Sequence, residues 1–465
     1  VTQTPDIRPA TGARRSAPLA AFLSFLIPGL GQAYAARPLR GLVFAIPIVA
    51  VVAVILVQLG GGLESFALSF LTPAIAGTFG LLAVATAGWR LLAMGDAVQV
   101  ADRTAWRRPG TLATFGVLGL ITILVHGSLA WGLYSAYDAS SRIFSGGDPD
   151  PSPGASGDPD DLFPDRPVGP TPAVGERLTV LIVGIDNEPG RGTNLTDTMI
   201  VASIDPETGA TSMISIPRDL SRIELPDGRI YSGKINSLMN AAARNPSAYP
   251  DGPLPTLMGA LGHLVGVPIP YYAAINLPGF VKMVDAVGGI DVVNAKAISD
   301  PGYGGWTDGR PVGFRLSAGP HHLDGQEALA YARSRKGAGD NDFTRARRQQ
   351  EVLLALRKRL TDPTVLPQIP SLIGALGDTV RTNFPSDRVG EVLDLARGVN
   401  DDGVERVVLG PRKYADQPPP SETGGLYVLV PKMAAVKKLS IDYYGEDSRY
   451  WTPPATPSPS PSAGG

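Results

Sequence analysis

The stretch YARSRKGAGDNDFTRARRQQ, from Tyr331 to Gln350, carries five arginines and a lysine, with two aspartates among them. A guanidinium is a fixed fork of N–H donors that matches phosphate oxygens two at a time. The ordinary reading of such a run is local ion pairing, with Asp340 and Asp342 as partners. Several arginines gathered against two acids, at the start of a helix whose amino end itself favours anions, point instead to a phosphate or pyrophosphate pocket. Two further places add to it. Asp186 follows the apolar run LTVLIVGI, and Asp197 precedes the apolar run TMIVASI. Carboxylates at strand ends beside phosphate oxygens are the usual ligands of a hard divalent cation. SIPRD then ends another strand with Arg218 and Asp219. Each of these, taken singly, also reads as a turn or capping residue.

The elements that must position these residues can be read from spacing. In LDGQEALAYAR, Asp324 is placed to cap a helix over 325–332, with Glu327 completing a capping box. Beyond that helix the chain is expected to extend, which would send Arg333 and Arg335 to one side. Asp342 or Thr344 then caps a helix over 343–360. On it Arg345, Gln349, Val352, Leu353, Leu356 and Leu360 share a face, while Arg347 points to solvent. Strands are expected at Leu178–Ile185, Thr198–Ile204, Ala210–Pro217 and in GIDVVN, and helices near 235–244, 254–265, 278–287 and 386–397. The fold class is α/β, a central mixed β-sheet flanked by helices.

Composition narrows the chemistry. The chain has 465 residues and a formal net charge of −2, so no overall basic field argues for nucleic acid. It has no cysteine, which removes disulfides, thiolate zinc sites and thiol nucleophiles together. Its four histidines show no metal-ligand spacing.

Three uncharged runs, 41–59, 66–89 and 111–134, are long enough to cross a bilayer. The segment Ala17–Ala36 is broken by PGLG and reads as a short span, a re-entrant hairpin or an interfacial helix. Arg8, Arg14, Arg15, Arg37 and Arg40 flank it, and Arg90, Arg103, Arg107 and Arg108 follow the second run, whereas 60–65 has no Lys or Arg. The positive-inside rule then puts the N-terminus in the cytoplasm and everything after Tyr134 outside. The expected organisation is a membrane region over 1–144, a Pro/Gly/Asp-rich linker over 145–175, an extracytoplasmic catalytic domain over 176–451 and a disordered tail over 452–465.

The stretches LIVGID, TDTMIVASID, ISIPRDL, GKINS, FVKMVDAVGGIDV, LDGQEALAYARSR and GDNDFTRARRQQ occur in order from Leu181 to Gln350. As an ordered set they resemble the LytR-CpsA-Psr family of cell-wall glycopolymer ligases. The resemblance implies a phosphotransferase that moves a glycan from a polyprenyl-pyrophosphate carrier in the membrane to a hydroxyl of peptidoglycan. It implies Mg²⁺, or Mn²⁺ in its place, held by Asp186 and Asp197. It assigns Arg218, Arg333 and Arg335 to the pyrophosphate, with Asp342, Arg345 and Gln349 completing the pocket, and leaves Asp186 or Asp342 as the base. Leu195 departs from the family, many members of which have Arg there. A polyprenyl-pyrophosphate-binding scaffold and a hydrolase of the same lipid are the competing readings. Phosphoryl transfer needs positioning and charge spreading rather than a His or Cys nucleophile, so the residue types suit it.

Overall fold

The computed structural model describes residues 15–144, 163–164, 167–186, 195–304, 313–335, 337, 340–368, 373–374, 376–377 and 379–453. The chain divides into two compact units, Val1–Ser140 and Ser141–Gly465.

The first unit is helical: α1 (Ala17–Leu26), α2 (Leu30–Tyr34), α3 (Pro38–Leu59), α4 (Leu63–Ser69), α5 (Pro73–Ala101) and α6 (Pro109–Ile143). α3, α5 and α6 are long and apolar enough to cross a membrane. α3 turns Val43, Ile46, Val49, Leu56 and Val57 outward, a surface suited to lipid. The second run differs from its sequence boundaries: Phe66 lies in α4, and a turn at Phe70–Thr72 separates it from α5, which Pro73 starts with an amide that needs no acceptor. The Ala17–Ala36 segment resolves into a helical hairpin. With ten residues, α1 rises about 15 Å, half of a bilayer's apolar core. Buried Gln32 fixes the hairpin to α5. It accepts from Ser24 Oγ at 2.9 Å, and its Nε2 donates to Ala93 O at 2.8 Å and Asp96 Oδ2 at 3.1 Å. Arg40 Nε donates to the same Asp96 oxygen at 3.0 Å.

The second unit is built on six strands: β1 (Leu178–Asp186), β2 (Leu195–Ile204), β3 (Thr211–Ser215), β4 (Tyr271–Asn276), β5 (Val380–Thr382) and β6 (Val404–Val408). Their order is β5-β4-β1-β2-β3-β6. β1 pairs with β4 and β3 with β6 in parallel, whereas β2 is antiparallel to β1 and β3. The carboxyl ends of β1, β3, β4 and β6 therefore meet at one edge of a mixed sheet. One face (Leu181, Val183, Met199, Val201, Ile214) is covered by α7 (Leu238–Arg244), α8 (Pro253–Val265) and the C-terminal helix Met433–Tyr444. The other face (Ile200, Met213 and half-buried Ile182) meets Leu353 and Leu354. These leucines lie on α11 (Asp342–Leu360), which follows α9 (Leu277–Ala286) and α10 (Gly325–Arg333). GIDVVN stands apart from this sheet, as a ribbon pairing Ile290–Asn294 with Gly319–Leu323.

Residues 163–175, assigned to the linker by composition, touch the domain where they are described. Phe163 stacks on Tyr272 with centroids 5.8 Å apart, the Val168 amide donates to Pro270 O, and Arg388 donates to Pro172 O. The rest of the linker and the residues beyond Thr452 and Pro453 lie outside the described residues.

Candidate functional site

A cavity opens at the carboxyl edge of the sheet. Its floor is Thr198 and Met199 of β2 and Ser215 at the end of β3. Its walls are Arg218 and Asp219, the first turns of α11 with Asp342, Arg345 and Gln349, and Val408, Tyr427 and Leu429. Four of the residues singled out in the sequence, Arg218, Asp342, Arg345 and Gln349, thus line one space.

Each is held by its own element. α11 is capped by Asn341, whose side chain accepts from the Phe343 and Thr344 amides, while Thr344 completes the box. The cap lies one residue before Asp342 and three before Thr344, because Asn341 has the extended backbone a cap needs. Asp342 is thereby freed to face the cavity. Its Oδ1 lies 3.4 Å from Arg345 Nη1 and 3.8 Å from Arg335 Nη1. Gln349 Nε2 donates to Thr198 Oγ1 at 2.9 Å, tying the helix to β2. Arg218 Nε lies 3.7 Å from Asp219 Oδ2, and Asp219 also holds Lys234 Nζ at 2.5 Å. GKINS therefore serves the site by occupying Asp219, leaving the Arg218 guanidinium at the cavity wall. The Leu429 amide donates to Asp219 O and the Ser221 amide to Leu429 O, which brings Tyr427 to the rim. Burial pushes the Tyr427 hydroxyl above its ordinary range, and the charges of Asp219 and Asp342 act in the same direction.

Arg333 is not on an extended segment with Arg335. It ends α10, and Ser334 is the residue that leaves the helix. The capping box at Asp324 and Glu327 that starts α10 is present as the sequence indicated. The Arg333 guanidinium hydrogen-bonds the Tyr303 hydroxyl; burial raises that hydroxyl's pKa and Arg333 opposes the shift. Arg335 reaches the cavity through its pairing with Asp342.

The turn that carries Arg335 has a buried frame that sequence reasoning missed. Asp300, 2% exposed, accepts from Ser334 Oγ at 3.0 Å and from the Arg335 amide at 3.2 Å. Arg348, 6% exposed, donates to Ser334 O and to Asp340 Oδ2, with its guanidinium over the Tyr331 ring. Asp340 and Arg348 were visible as members of the charged run, but nothing in the sequence marked Asp300 as their neighbour.

The strand-end acids sit at an irregularity. Gly184 pairs with Thr198 and Ile185 with Thr196, so Asp197 is the extra residue of a β-bulge, and Asp186 stands opposite Leu195. A side chain on Gly184 would put Cβ 3.0 Å from Thr198 Cβ, which explains glycine there. The side chains of Asp186, Leu195 and Asp197 lie outside what the structure describes. Among the described residues no group of three or more acids or histidines converges as a metal site.

Residues 160–439 match the model of the LytR-CpsA-Psr family. The chain belongs to that family. Among its relatives is TagU of Halalkalibacterium halodurans, a polyisoprenyl-teichoic acid–peptidoglycan teichoic acid transferase. It is 32% identical over 222 residues, 48% of this chain and 66% of that one. The protein of the same name from Bacillus anthracis is 29% identical over 234 residues, 50% of this chain and 68% of that one. This chain therefore spans about two thirds of the length of these relatives. Among solved structures, B. subtilis TagV is 25% identical with a TM-score of 0.46, over 60% of this chain and 99% of that chain. TagT bound to LIIa-WTA is 23% identical with a TM-score of 0.44, over 60% and 94%.

Proposed function

We propose that this LytR-CpsA-Psr protein is a membrane-anchored phosphotransferase of cell-wall assembly, transferring a glycopolymer from polyprenyl pyrophosphate to a peptidoglycan hydroxyl. The observation that carries this reading is the joint cavity of Arg218, Asp342, Arg345 and Gln349, with Arg335 against its rim. The transferase relatives and the three apolar helices support it, because the carrier lipid is confined to the membrane.

In this reading the acceptor oxygen attacks the phosphorus that bears the glycan. The bond from that phosphorus to the bridging oxygen breaks, a phosphodiester forms, and polyprenyl phosphate leaves with the electron pair. Arg218 and Arg345 bind the pyrophosphate and spread the charge that builds on the leaving phosphate. Lys234 holds Asp219 at 2.5 Å, whereas the arginines nearest Asp342 stand 3.4 and 3.8 Å away, so Asp342 is the more loosely held of these two cavity carboxylates and is assigned the acceptor proton. Gln349 keeps α11 in register with β2. Asp186 and Asp197, two carboxylates from adjoining strand ends, have the donor chemistry for Mg²⁺ and would hold it. The ion, when bound, neutralises phosphate charge. Arg103, Arg107 and Arg108 between α5 and α6, with Arg37 and Arg40 at the start of α3, support a cytoplasmic side there and an extracytoplasmic C-terminal unit.

The test supplies full-length protein in nanodiscs with a polyprenyl-pyrophosphoryl saccharide, Mg²⁺ and peptidoglycan oligomers. A phosphodiester-linked conjugate is expected, falling about 10²–10³-fold in Arg218→Ala, the cost of one preorganised donor. Release of glycan phosphate without conjugate would replace the transferase with a hydrolase. Lipid binding without turnover would leave a scaffold.

A further inference from the structure

Tyr427 reaches the cavity from a loop that is fixed at its base and along its length. At the base, Ala415 pairs with Pro431 and Asp416 with Val430, so residues 417–429 leave and return at one place. Compact loops with joined ends of this kind frequently carry function. Midway, the short helix Pro420–Thr423 ends on Gly424 and Gly425, both in the left-handed region at φ 61° and 84°, which glycine adopts without steric cost. The Gly425 amide donates to Pro420 O at 2.9 Å and the Leu426 amide to Thr423 O at 3.2 Å, and Thr423 Oγ1 donates to Leu426 O at 2.7 Å. The turn therefore holds Leu426 in a set position, and that position faces outward. Leu426 is 64% exposed and Tyr427 43% exposed.

The other large apolar side chains exposed among the described residues of this unit come singly in the sequence: Val174, Ile230, Val293 and Ile441. Single exposed apolar residues are ordinary on a protein surface. Leu426 and Tyr427 are an adjacent pair, built onto a braced turn at the mouth of the cavity. Two residues further on, the Leu429 amide donates to Asp219 O, which ties the pair to the strand end that carries Arg218. The loop has one charged residue, Glu422, and it is exposed.

We propose that Leu426 and Tyr427 dip into the surface of the lipid bilayer and seat the mouth of the cavity at headgroup level. The inference rests on the phosphotransferase reading and adds the partner of this rim, a lipid surface. The carrier's prenyl tail is held in hydrocarbon while its pyrophosphate must enter the cavity. A mouth standing away from the bilayer would have to draw that tail through water, and a mouth resting on it would not. Leucine buries its side chain in the acyl boundary, and tyrosine sets its ring and hydroxyl across the interface, where such amphipathic rings collect. The loop carries no cation, so the contact is apolar and indifferent to salt and to headgroup charge.

The chain has no cysteine, so one introduced thiol can be labelled selectively. Full-length Leu426→Cys in nanodiscs is labelled with bimane and compared with Val293→Cys, a position 72% exposed on the separate ribbon. The label at 426 is expected to be quenched by lipids spin-labelled near the headgroup and shielded from aqueous iodide. This should hold equally in zwitterionic and anionic bilayers, at low and high salt. The label at 293 is expected to show the reverse. Iodide quenching of both labels, or lipid quenching of both alike, would overturn the inference. In transfer assays Leu426→Ser should raise KM about tenfold for a long-chain donor embedded in the nanodisc, with kcat kept, as expected from losing most of a leucine's burial. KM for a short-chain donor supplied from water should stay unchanged, and Leu426→Phe should match wild type with both donors. An equal rise for both donors would overturn the inference, because the loop would then act on the cavity and not through the membrane. Lipid quenching at 426 without any transfer would remove the phosphotransferase reading and leave the bilayer contact standing.

Discussion

Replacing Arg348 with methionine should cost the C-terminal unit far more than a surface charge would. The Arg348 and Asp340 side chains are 8% and 15% exposed, and their closest N–O contact is 3.3 Å. The guanidinium also donates to Ser334 O and covers the Tyr331 ring. Methionine keeps the packing of the stem but leaves Asp340 and the Ser334 carbonyl without that donor. Breaking a buried pair by removing one partner typically costs about 3–5 kcal/mol. Thr344 Oγ1 still donates to Asp340 at 3.3 Å, so a loss of about 3 kcal/mol is expected here. For a unit of this size that corresponds to a fall in Tm of about 6–12 °C. Urea denaturation of the C-terminal unit measures it, alongside Asp340→Asn and the double variant. Because the amide introduced by Asp340→Asn carries no charge to strand, the double variant should recover at least about 1 kcal/mol relative to additivity. A loss below about 1 kcal/mol for Arg348→Met, or strict additivity in the cycle, would refute the claim that this pair frames the turn.

Other perturbations report on other parts of the molecule. Burial lowers the pKa of His263, and the Arg449 guanidinium hydrogen-bonded to its Nδ1 acts the same way against a weaker pull from Glu224. The folded pKa lies below the unfolded value of about 6.5, so the unfolded chain binds the proton first. This contribution is intact above about pH 6.5 and is lost as pH falls through the folded pKa; His263→Gln should flatten that part of the urea-midpoint profile between pH 8 and 5. In the membrane unit, Gly31→Ala would place Cβ 2.0 Å from Ala20 O and 2.5 Å from Ser24 Oγ, forcing α1 from α2. Full-length protein carrying it should lose its sharp melting transition in detergent while the isolated C-terminal unit, which lacks the position, melts as before.

Much of this was legible because local rules and tertiary packing agree. The capping box at Asp324, the apolar strand of β1 and the exposed Arg347 follow from spacing alone. Asn341 outcompeted Asp342 as a cap because either residue can cap and the backbone decides between them. Arg333 was placed beyond its helix because helix ends shift by a residue or two. The buried role of Arg348 was hidden because an arginine in a basic run looks solvated until its partners are known. Asp300 and Tyr427 come from segments distant in sequence, and only the fold brings them to the turn and the cavity rim.

The order in which the pocket is completed has a consequence for how the protein is made. β6 joins the sheet edge by parallel pairing with β3, and Leu429 bridges to Leu220, so Val408, Tyr427 and Leu429 reach the cavity from late in the chain. A nascent chain that stops before these residues has the membrane helices and five of the strands but lacks one wall of the pocket. Contacts between such distant segments form slowly, after more local structure. Lipid-linked substrate would therefore meet an incomplete, inactive pocket until synthesis is finished, and a prematurely truncated chain would sit in the membrane without consuming it.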